Sequence, residues 1–490
     1  MLRPLAVAVA LTPAVAFILS GSIAAQDAKA VIASATKAMG AEGLSSVTYS
    51  GSAANGNFGQ SKTIAGPLAV TTISNYTRAI DLTQPASRAT GTTMPPTIPG
   101  APPPTAGTFN QNITPANVAW TQQLEIWVTP WGFLKGAAAN NATLQSQRLG
   151  GKTYRVVSWT PTQKAPSGQS YRVTGFIDEQ NMLDRVETWV EHPVLGDLLV
   201  ETSYANYQDF GGLKMPTKIV QRRAGLQTFE ATITSAAANP ANLTQLMTPP
   251  PPAGGAPGGG RGAAPGAPAA APAVASEKMA DGVFRITGGY VALAIEFKDH
   301  VVVLEGGQNE ARGIAVIAEA KRVIPNKPIR YVVNTHAHFD HAGGLAPFAA
   351  EGITIITHAN NKSYLEKALR GPRTLVGDNL AKANRKPKVE SAGDKRVLKD
   401  DTHTVELHHI KDLAHSDGML VAYLPKEKIL FTGDFNIPAQ GQPPAPAIAT
   451  LVQNIERLKL DFEGHVLVHA PVPDRPMTRA DLMALAKGTQ

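Results

Sequence analysis

The sequence predicts two domains of different class: a mainly antiparallel β block over residues 26–245, then an α/β layered domain over residues 277–490. Three observations lead there. From Gln26 to Asn242, short runs alternating apolar with polar residues follow one another with little helical periodicity, as in Tyr171-Arg172-Val173-Thr174-Gly175-Phe176. Residues 246–276 are dominated by proline, glycine and alanine, and between Thr248 and Ala273 Arg261 is the only charge, so this stretch reads as a linker that cannot bury enough apolar surface to fold. Beyond Ser276, strand-like runs alternate with helical ones, and eleven of the twelve histidines fall there.

The first 25 residues carry Arg3, an apolar run from Leu5 to Leu19, and small residues at Ser22, Ala24 and Ala25. That is the layout of a secretory signal over residues 1–25, which implies a periplasmic or secreted protein. Pro13 and the short run argue against a membrane anchor, the lesser alternative. The 490 residues contain no cysteine, so disulfides cannot stabilise the exported chain and no thiolate can bind a metal. A formal charge of +7 allows an anionic partner without requiring one.

In the first block a helix is expected over Ala28 to Met39, ending at Gly40. Strands follow over Ser46 to Tyr49, Ala69 to Ile73, Leu124 to Val128, Tyr154 to Trp159, Tyr171 to Ile177 and Leu183 to Val190. Three more cover Leu198 to Tyr204, Thr217 to Gln221 and Thr228 to Thr234, and the proline-rich stretch Met94 to Thr105 reads as an exposed loop. The pattern, especially Asp209-Phe210-Gly211-Gly212-Leu213-Lys214-Met215-Pro216, loosely resembles the half-barrel of bacterial lipoprotein-carrier proteins. That resemblance implies an envelope or apolar ligand for this domain; a structural role is the alternative. With one histidine, His192, the block offers no ligand cluster, and catalysis is not expected in it.

In the second block, strands are expected over Val283 to Ile286, Val291 to Phe297 and Val301 to Leu304, then a helix over Ala311 to Val323 with Ile314, Ile317 and Ala318 on its inner face. A buried strand, Ile329 to Asn334, leads into Thr335-His336-Ala337-His338-Phe339-Asp340-His341. Three imidazoles and a carboxylate within six residues are the donors a zinc-like divalent ion takes, and a set of ordinary polar turn residues is the plainer, weaker reading. Ala342-Gly343-Gly344 then lets the chain bend into a helix. Four side chains cannot complete two sites, and three further donors stand at later strand ends: His415, Asp434 and His469. His465 rivals His469, but precedes its strand instead of following it. His358 reads as a structural histidine, and His408 and His409, adjacent on one strand, face opposite ways.

His-x-His-x-Asp-His, a later histidine before a strand, Thr432-Gly433-Asp434 and a last histidine resemble the metallo-β-lactamase superfamily over residues 277–490. The resemblance implies an αββα sandwich with the site at one edge. It implies that His336, His338 and His415 bind one metal, that Asp340, His341 and His469 bind the second, and that Asp434 bridges them. Two zinc ions are expected, with iron or manganese as alternatives. Asp340 is the expected proton acceptor, and the expected activity is hydrolysis of an ester, lactone, amide or related carbonyl in a small molecule. The last histidine departs from the family's Pro-Gly-His-Gly turn, standing in Leu467-Val468-His469-Ala470-Pro471. Dedicated β-lactamases of the family carry cysteine or serine where Asp434 stands and a cation soon after, whereas Phe435-Asn436-Ile437-Pro438 has none. Family nucleases carry a large insert where only 34 residues lie between Asp434 and His469, so nucleic acid is not expected as a partner. A β-lactamase, an iron-containing oxidoreductase of the same fold and a non-catalytic envelope ligand-binding protein are the competing readings; oligomeric state is left open.

Overall fold

The computed structural model describes residues 20–97, 103–115, 119–249, 274–435, 437, 446–471 and 473–487. The expected signal up to residue 19, most of the expected linker, part of the proline-rich stretch and Asn436 and Pro438 lie outside them. None of the described helices is long and apolar enough to cross a membrane.

The first domain opens with α1 (Ser20–Ala38) and the strands β1 (Ser46–Gly56), β2 (Val70–Asp81), β3 (Ala86–Met94) and β4 (Gly107–Ile113). Two helices follow, α2 (Trp120–Trp127) and α3 (Pro130–Ala139). Then come β5 (Thr143–Leu149), β6 (Lys152–Trp159), β7 (Val173–Ile177), β8 (Leu183–His192), β9 (Gly196–Phe210), β10 (Leu213–Arg223), β11 (Leu226–Ala238) and a short α4 (Leu243–Met247). All eleven strands form one antiparallel sheet in the order β4-β3-β2-β1-β11-β10-β9-β8-β7-β6-β5. Its period-two burial is plainest in β9, where every second residue from Gly196 to Tyr204 is buried. Helix α1 lays Ile32 and Ala35 into the same core, with Met39 just past its end beside them.

The expected strand at Leu124 to Val128 is instead the end of α2. Trp120 and Leu124 are four apart and both buried, a helical spacing that a short apolar run does not disclose. Thr129 then caps α3, accepting from Gly132 N, with Pro130 in its first turn.

The second domain has two sheets. Its first part contains β12 (Ser276–Ala280), β13 (Val283–Ile286), β14 (Ala292–Glu296), β15 (Val301–Leu304), α5 (Glu310–Val323), β16 (Ile329–Val333), α6 (Phe339–Ala342) and α7 (Leu345–Glu351). It continues with β17 (Thr354–His358), α8 (Ala359–Arg370), α9 (Asn379–Ala383) and β18 (Val389–Ala392), and the seven strands pair in chain order. The second sheet has six strands, also paired in chain order: β19 (Lys395–Lys399), β20 (Thr404–His409), β21 (Leu420–Leu424), β22 (Ile429–Thr432), β23 (Gly464–Leu467) and β24 (Met477–Thr478). Helices α10 (Pro446–Leu458) and α11 (Arg479–Lys487) belong to this half.

Three apolar layers hold the domain. Leu293, Ile295, Val302 and Leu304 meet Val405, Leu407, Leu420 and Phe431 between the sheets. Val316, Ile317, Phe348 and Leu365 cover the outer face of the first sheet, and Ile448, Leu451, Ile455 and Leu482 cover that of the second. Helix α5 is turned in part from the face expected: Ile317 is buried as expected, beside Arg312, Gly313, Val316 and Ala320, whereas Ile314 is 43 % exposed and Ala318 is exposed as well. Polar Arg312 defeated the periodicity, because its buried guanidinium spends its donors on the carbonyls of Ile286, Thr287 and Tyr290.

The two domains share core residues. Ile64 and Val194 of the first pack among the helices of the second, and Leu375 of the second packs in the core of the first. Arg373 donates to the carbonyls of Pro193 and Val194 while paired with buried Asp378.

Candidate metal centre

Strands β15 and β16 run parallel, as do β22 and β23, so their C-terminal ends open on the same edge. Leu420 N donates to Thr335 O at 2.7 Å, joining that edge of one sheet to the other. All seven sequence-predicted residues are brought together here. His336, His338, His415 and Asp434 form one group of donors and Asp340, His341, Asp434 and His469 another, each with its donor atoms within 4.8 Å of one another. Asp434 belongs to both and divides its oxygens: Oδ1 lies 2.7 Å from His341 Nε2 and 2.6 Å from His469 Nε2, Oδ2 3.0 Å from His415 Nε2 and 3.8 Å from His336 Nε2.

The glycines after the motif act by size. Gly343 and Gly344 have ordinary negative φ, but a Cβ on Gly344 would stand 2.1 Å from the Gly306 carbonyl oxygen, so only glycine lets α7 start against the end of β15.

Hydrogen bonds around the cluster fix which ring nitrogen is left free. A carbonyl only accepts, so His338 Nε2 carries the proton it donates to Ser61 O at 3.0 Å. Its Nδ1 is buried without a hydrogen-bond partner and points its lone pair at the cluster. Burial, together with neighbouring His415, pushes the His338 ring down to about 4, so it is neutral near pH 7. Glu305 Oε2 stands 3.1 Å from His341 Nδ1, which therefore donates, and accepts from Thr335 Oγ1 at 2.6 Å. With its proton committed to Glu305, the Thr335 hydroxyl can only accept from His336 Nδ1 at 3.2 Å. One carboxylate thus orients two histidines with Nε2 toward the cluster.

Sequence reasoning missed Glu305. It is fully buried and adopts φ +74°, an unfavourable conformation for a residue with a side chain. An acid directly after the all-buried Val301–Leu304 run, one strand from the histidine motif, was the available signal. Tyr290, also missed, donates to Asp340 Oδ2 at 2.7 Å, and Gln60 Nε2 to Asp340 Oδ1 at 2.5 Å. Burial alone would raise the Asp340 carboxyl, but the His341 ring and these two bonds outweigh it and hold it below the usual range.

Charge shows what the cluster would hold. Glu305 and Asp434 are buried and Asp340 half-buried, yet among the described residues no lysine or arginine pairs with any of them; their only ionic partners are histidines. Buried carboxylates need compensating charge, and inward-facing nitrogens with a shared carboxylate suit divalent cations better than protons. His465 stands apart, its Nε2 2.9 Å from Thr432 Oγ1 and its ring against Phe462. The rings of His358 and His409 stack on each other with centroids 3.9 Å apart and belong to neither donor group, and no third such group is found among the described residues.

Residues 287–458 match the family model of the metallo-beta-lactamase superfamily. A hydroxyacylglutathione hydrolase of Pelagibacter ubique (strain HTCC1062) is 28 % identical over 135 residues, covering 26 % of this chain and 47 % of that one. The alpha subunit of a 2,4-dinitroanisole O-demethylase of Nocardioides sp. (strain JS1661) is 24 % identical over 207 residues, 40 % of this chain and 58 % of that one. The chain thus spans about half the length of these curated relatives. Among solved structures, a metallo-beta-lactamase from Pontibacter korlensis aligns with 44 % of this chain and 98 % of its own, at TM-score 0.35 and 17 % identity. Similarity to the metallo-beta-lactamase superfamily thus runs through residues 287–458 of the chain.

Proposed function

We propose that this is an exported metal-dependent hydrolase that holds two divalent ions, zinc by preference, and cleaves an ester, lactone, amide or related carbonyl group of a small molecule. The observation that carries the reading is Asp434, whose two oxygens face two different sets of donors. His336, His338 and His415 would hold one ion and Asp340, His341 and His469 the other, with Asp434 between. Bound there, such ions supply Lewis acidity and an acidified water at neutral pH.

The chain's own groups do the rest. His336, His338 and His341 are sealed, whereas the side chains of Asp340, His415 and His469 are 32 %, 29 % and 29 % exposed, so substrate approaches over these three. Asp340, kept anionic and oriented by Tyr290 and Gln60, is placed to take the proton of an attacking water. Tyr290, its hydroxyl pushed far up by burial and by Asp340, stays protonated and keeps donating. The name of one curated relative supports hydrolysis; that of the other speaks of demethylation. Carbonyl hydrolysis is preferred because the donor groups share one aspartate, Asp434, and set beside it a second, Asp340, that is held anionic and partly open to solvent. Location outside the cytoplasm rests on the pattern of residues 1–25, and N-terminal sequencing of the mature protein checks it.

The test is metal analysis of the purified full-length protein, with assays on nitrocefin, a lactone, a thioester and a phosphodiester beside His336→Ala and Asp434→Ala. Bound zinc, iron or manganese and hydrolysis of a carbonyl substrate, both lost in the variants, are expected. A wild-type protein that binds no divalent ion defeats the reading, and turnover of the phosphodiester alone moves it to another substrate class.

A further inference from the structure

The first domain reaches the metal centre through the segment between β1 and β2, residues 57–69, and five consecutive residues of it make contact. Gly59 O accepts from Phe339 N at 3.1 Å, Gln60 donates to Asp340, Ser61 O accepts from His338, Lys62 O accepts from Asp417 N at 2.9 Å, and Thr63 Oγ1 donates to Asp417 Oδ2 at 2.8 Å. On one side these bonds end on two of the proposed ligands and the residue between them. On the other they end two residues beyond His415. The Phe58 ring packs edge-on against Phe339 at 5.1 Å, and Ile64 anchors the far end in the second domain's core. Gly59 sits at φ +80°, and a Cβ there would stand 2.0 Å from the Phe339 ring.

We propose that this β1–β2 segment is a positioning element of the metal centre: the first domain sets the ring nitrogen that His338 offers, aims the Asp340 carboxylate, and clamps the 338–340 and 415–417 segments together. The inference rests on the metal-binding reading above. It assigns the first domain a part in the chemistry of the second that a docking module would not have. His338 can turn its unprotonated nitrogen inward because a carbonyl from another domain takes the proton on the opposite side. Since Ser61 and Lys62 act through main-chain atoms, the side-chain requirements of the clamp fall on Gly59, Gln60 and Thr63, and of these Gly59 and Gln60 face the 338–340 segment.

The experiment uses the full chain in three variants. Gly59→Ala drives a methyl group into Phe339, while Gly225→Ala, at φ +81° in the β10–β11 turn with nothing within 4 Å, imposes like backbone strain without touching the centre. Gln60→Ala removes the bond to Asp340. Zinc affinity is measured by competition with a chromophoric chelator, the visible spectrum is recorded after cobalt substitution, and thermal melts report folding. Gly59→Ala and Gln60→Ala are expected to weaken zinc binding by about 10- to 100-fold, the range for loss of an outer partner of a ligand, and to shift the cobalt bands. Gly225→Ala should match wild type in both. If Gly59→Ala does not fold, Gln60→Ala decides alone. Wild-type affinity and spectrum in folded Gln60→Ala and Gly59→Ala overturn the inference and leave the proposed function standing; absence of metal from the wild-type protein overturns both.

Discussion

The second domain supplies its site with side chains, whereas the first supplies mainly backbone. From the second come five histidines and two aspartates, which only other donor-bearing side chains could replace. From the first come the carbonyls of Gly59, Ser61 and Lys62, which almost any residue could offer, together with the side chains of Gln60 and Thr63. The contrast separates what a metal demands from what orients its ligands. Donor identity is fixed by chemistry, but the direction of a donor's lone pair can be set by any well-placed acceptor. A chain can therefore place half of a site's machinery in a domain with no recognisable motif.

The most damaging change should be at the one residue common to both donor groups. Asp434→Ala removes the shared carboxylate and leaves the Nε2 atoms of His336, His341, His415 and His469 facing one another without it. Zinc affinity is expected to fall by more than about 100-fold, beyond the range for an outer partner, and hydrolytic activity with it. Loss of only one ion, read by metal analysis, would refute the shared role of this carboxylate. Glu305→Gln should come next, at about 10- to 100-fold in affinity, because the amide is uncharged and, with its oxygen accepting from Thr335 and His341, turns its NH2 against the Gly306 N–H that the carboxylate's other oxygen accepts from. Chelator competition at fixed pH ranks the two.

The contrast also governs what could be read from the sequence. The convergence of His336, His338, Asp340 and His341 was legible because metal-donor side chains come from few residue types, and that of His415, Asp434 and His469 because each stands beyond the end of a strand of one sheet. Glu305 and Tyr290 act through hydrogen bonds that form only once strands are paired and a hairpin is pinned by Arg312, so no local pattern announces them. The contribution of Ser61 is a carbonyl and has no spelling at all. In the fold, the period-two strands were legible, while Leu124 to Val128 was not, because a short apolar run fits either a strand or a helix until its partners are known. A proline- and glycine-rich linker suggested two independent bodies. Ile64, Val194 and Leu375, each buried in the other domain's core, show that the partnership is closer than chain connection requires.

A second attachment between the domains allows folding and metal binding to be told apart. Arg373 is buried and holds Pro193 O at 2.7 Å together with buried Asp378, away from the donor groups. Arg373→Ala strands the Asp378 carboxylate and should cost about 3 kcal/mol in denaturant unfolding. Zinc affinity should stay within roughly threefold of wild type, since an outer partner of a ligand is worth 10-fold or more. A large fall in affinity would mean that any loosening of the interface disturbs the centre.

The smallest effect is expected at His465, once a rival ligand and here fully buried against Thr432. Burial pushes its ring down to about 4, with Asp481 opposing only weakly. An unfolded chain takes up this proton near pH 6.5, whereas the folded one resists until about pH 4. The stability this difference represents is complete above pH 6.5 and declines as pH falls toward 4, by about 1.4 kcal/mol per pH unit for one proton. His465→Gln can still hydrogen-bond Thr432 but cannot titrate, so its unfolding free energy should fall less steeply than wild type across that window by close to one proton. Its metal content at pH 7.5 should be unchanged. Equal slopes would mean that His465 is protonated in the folded chain, and a missing ion would return it to the ligand set in place of His469.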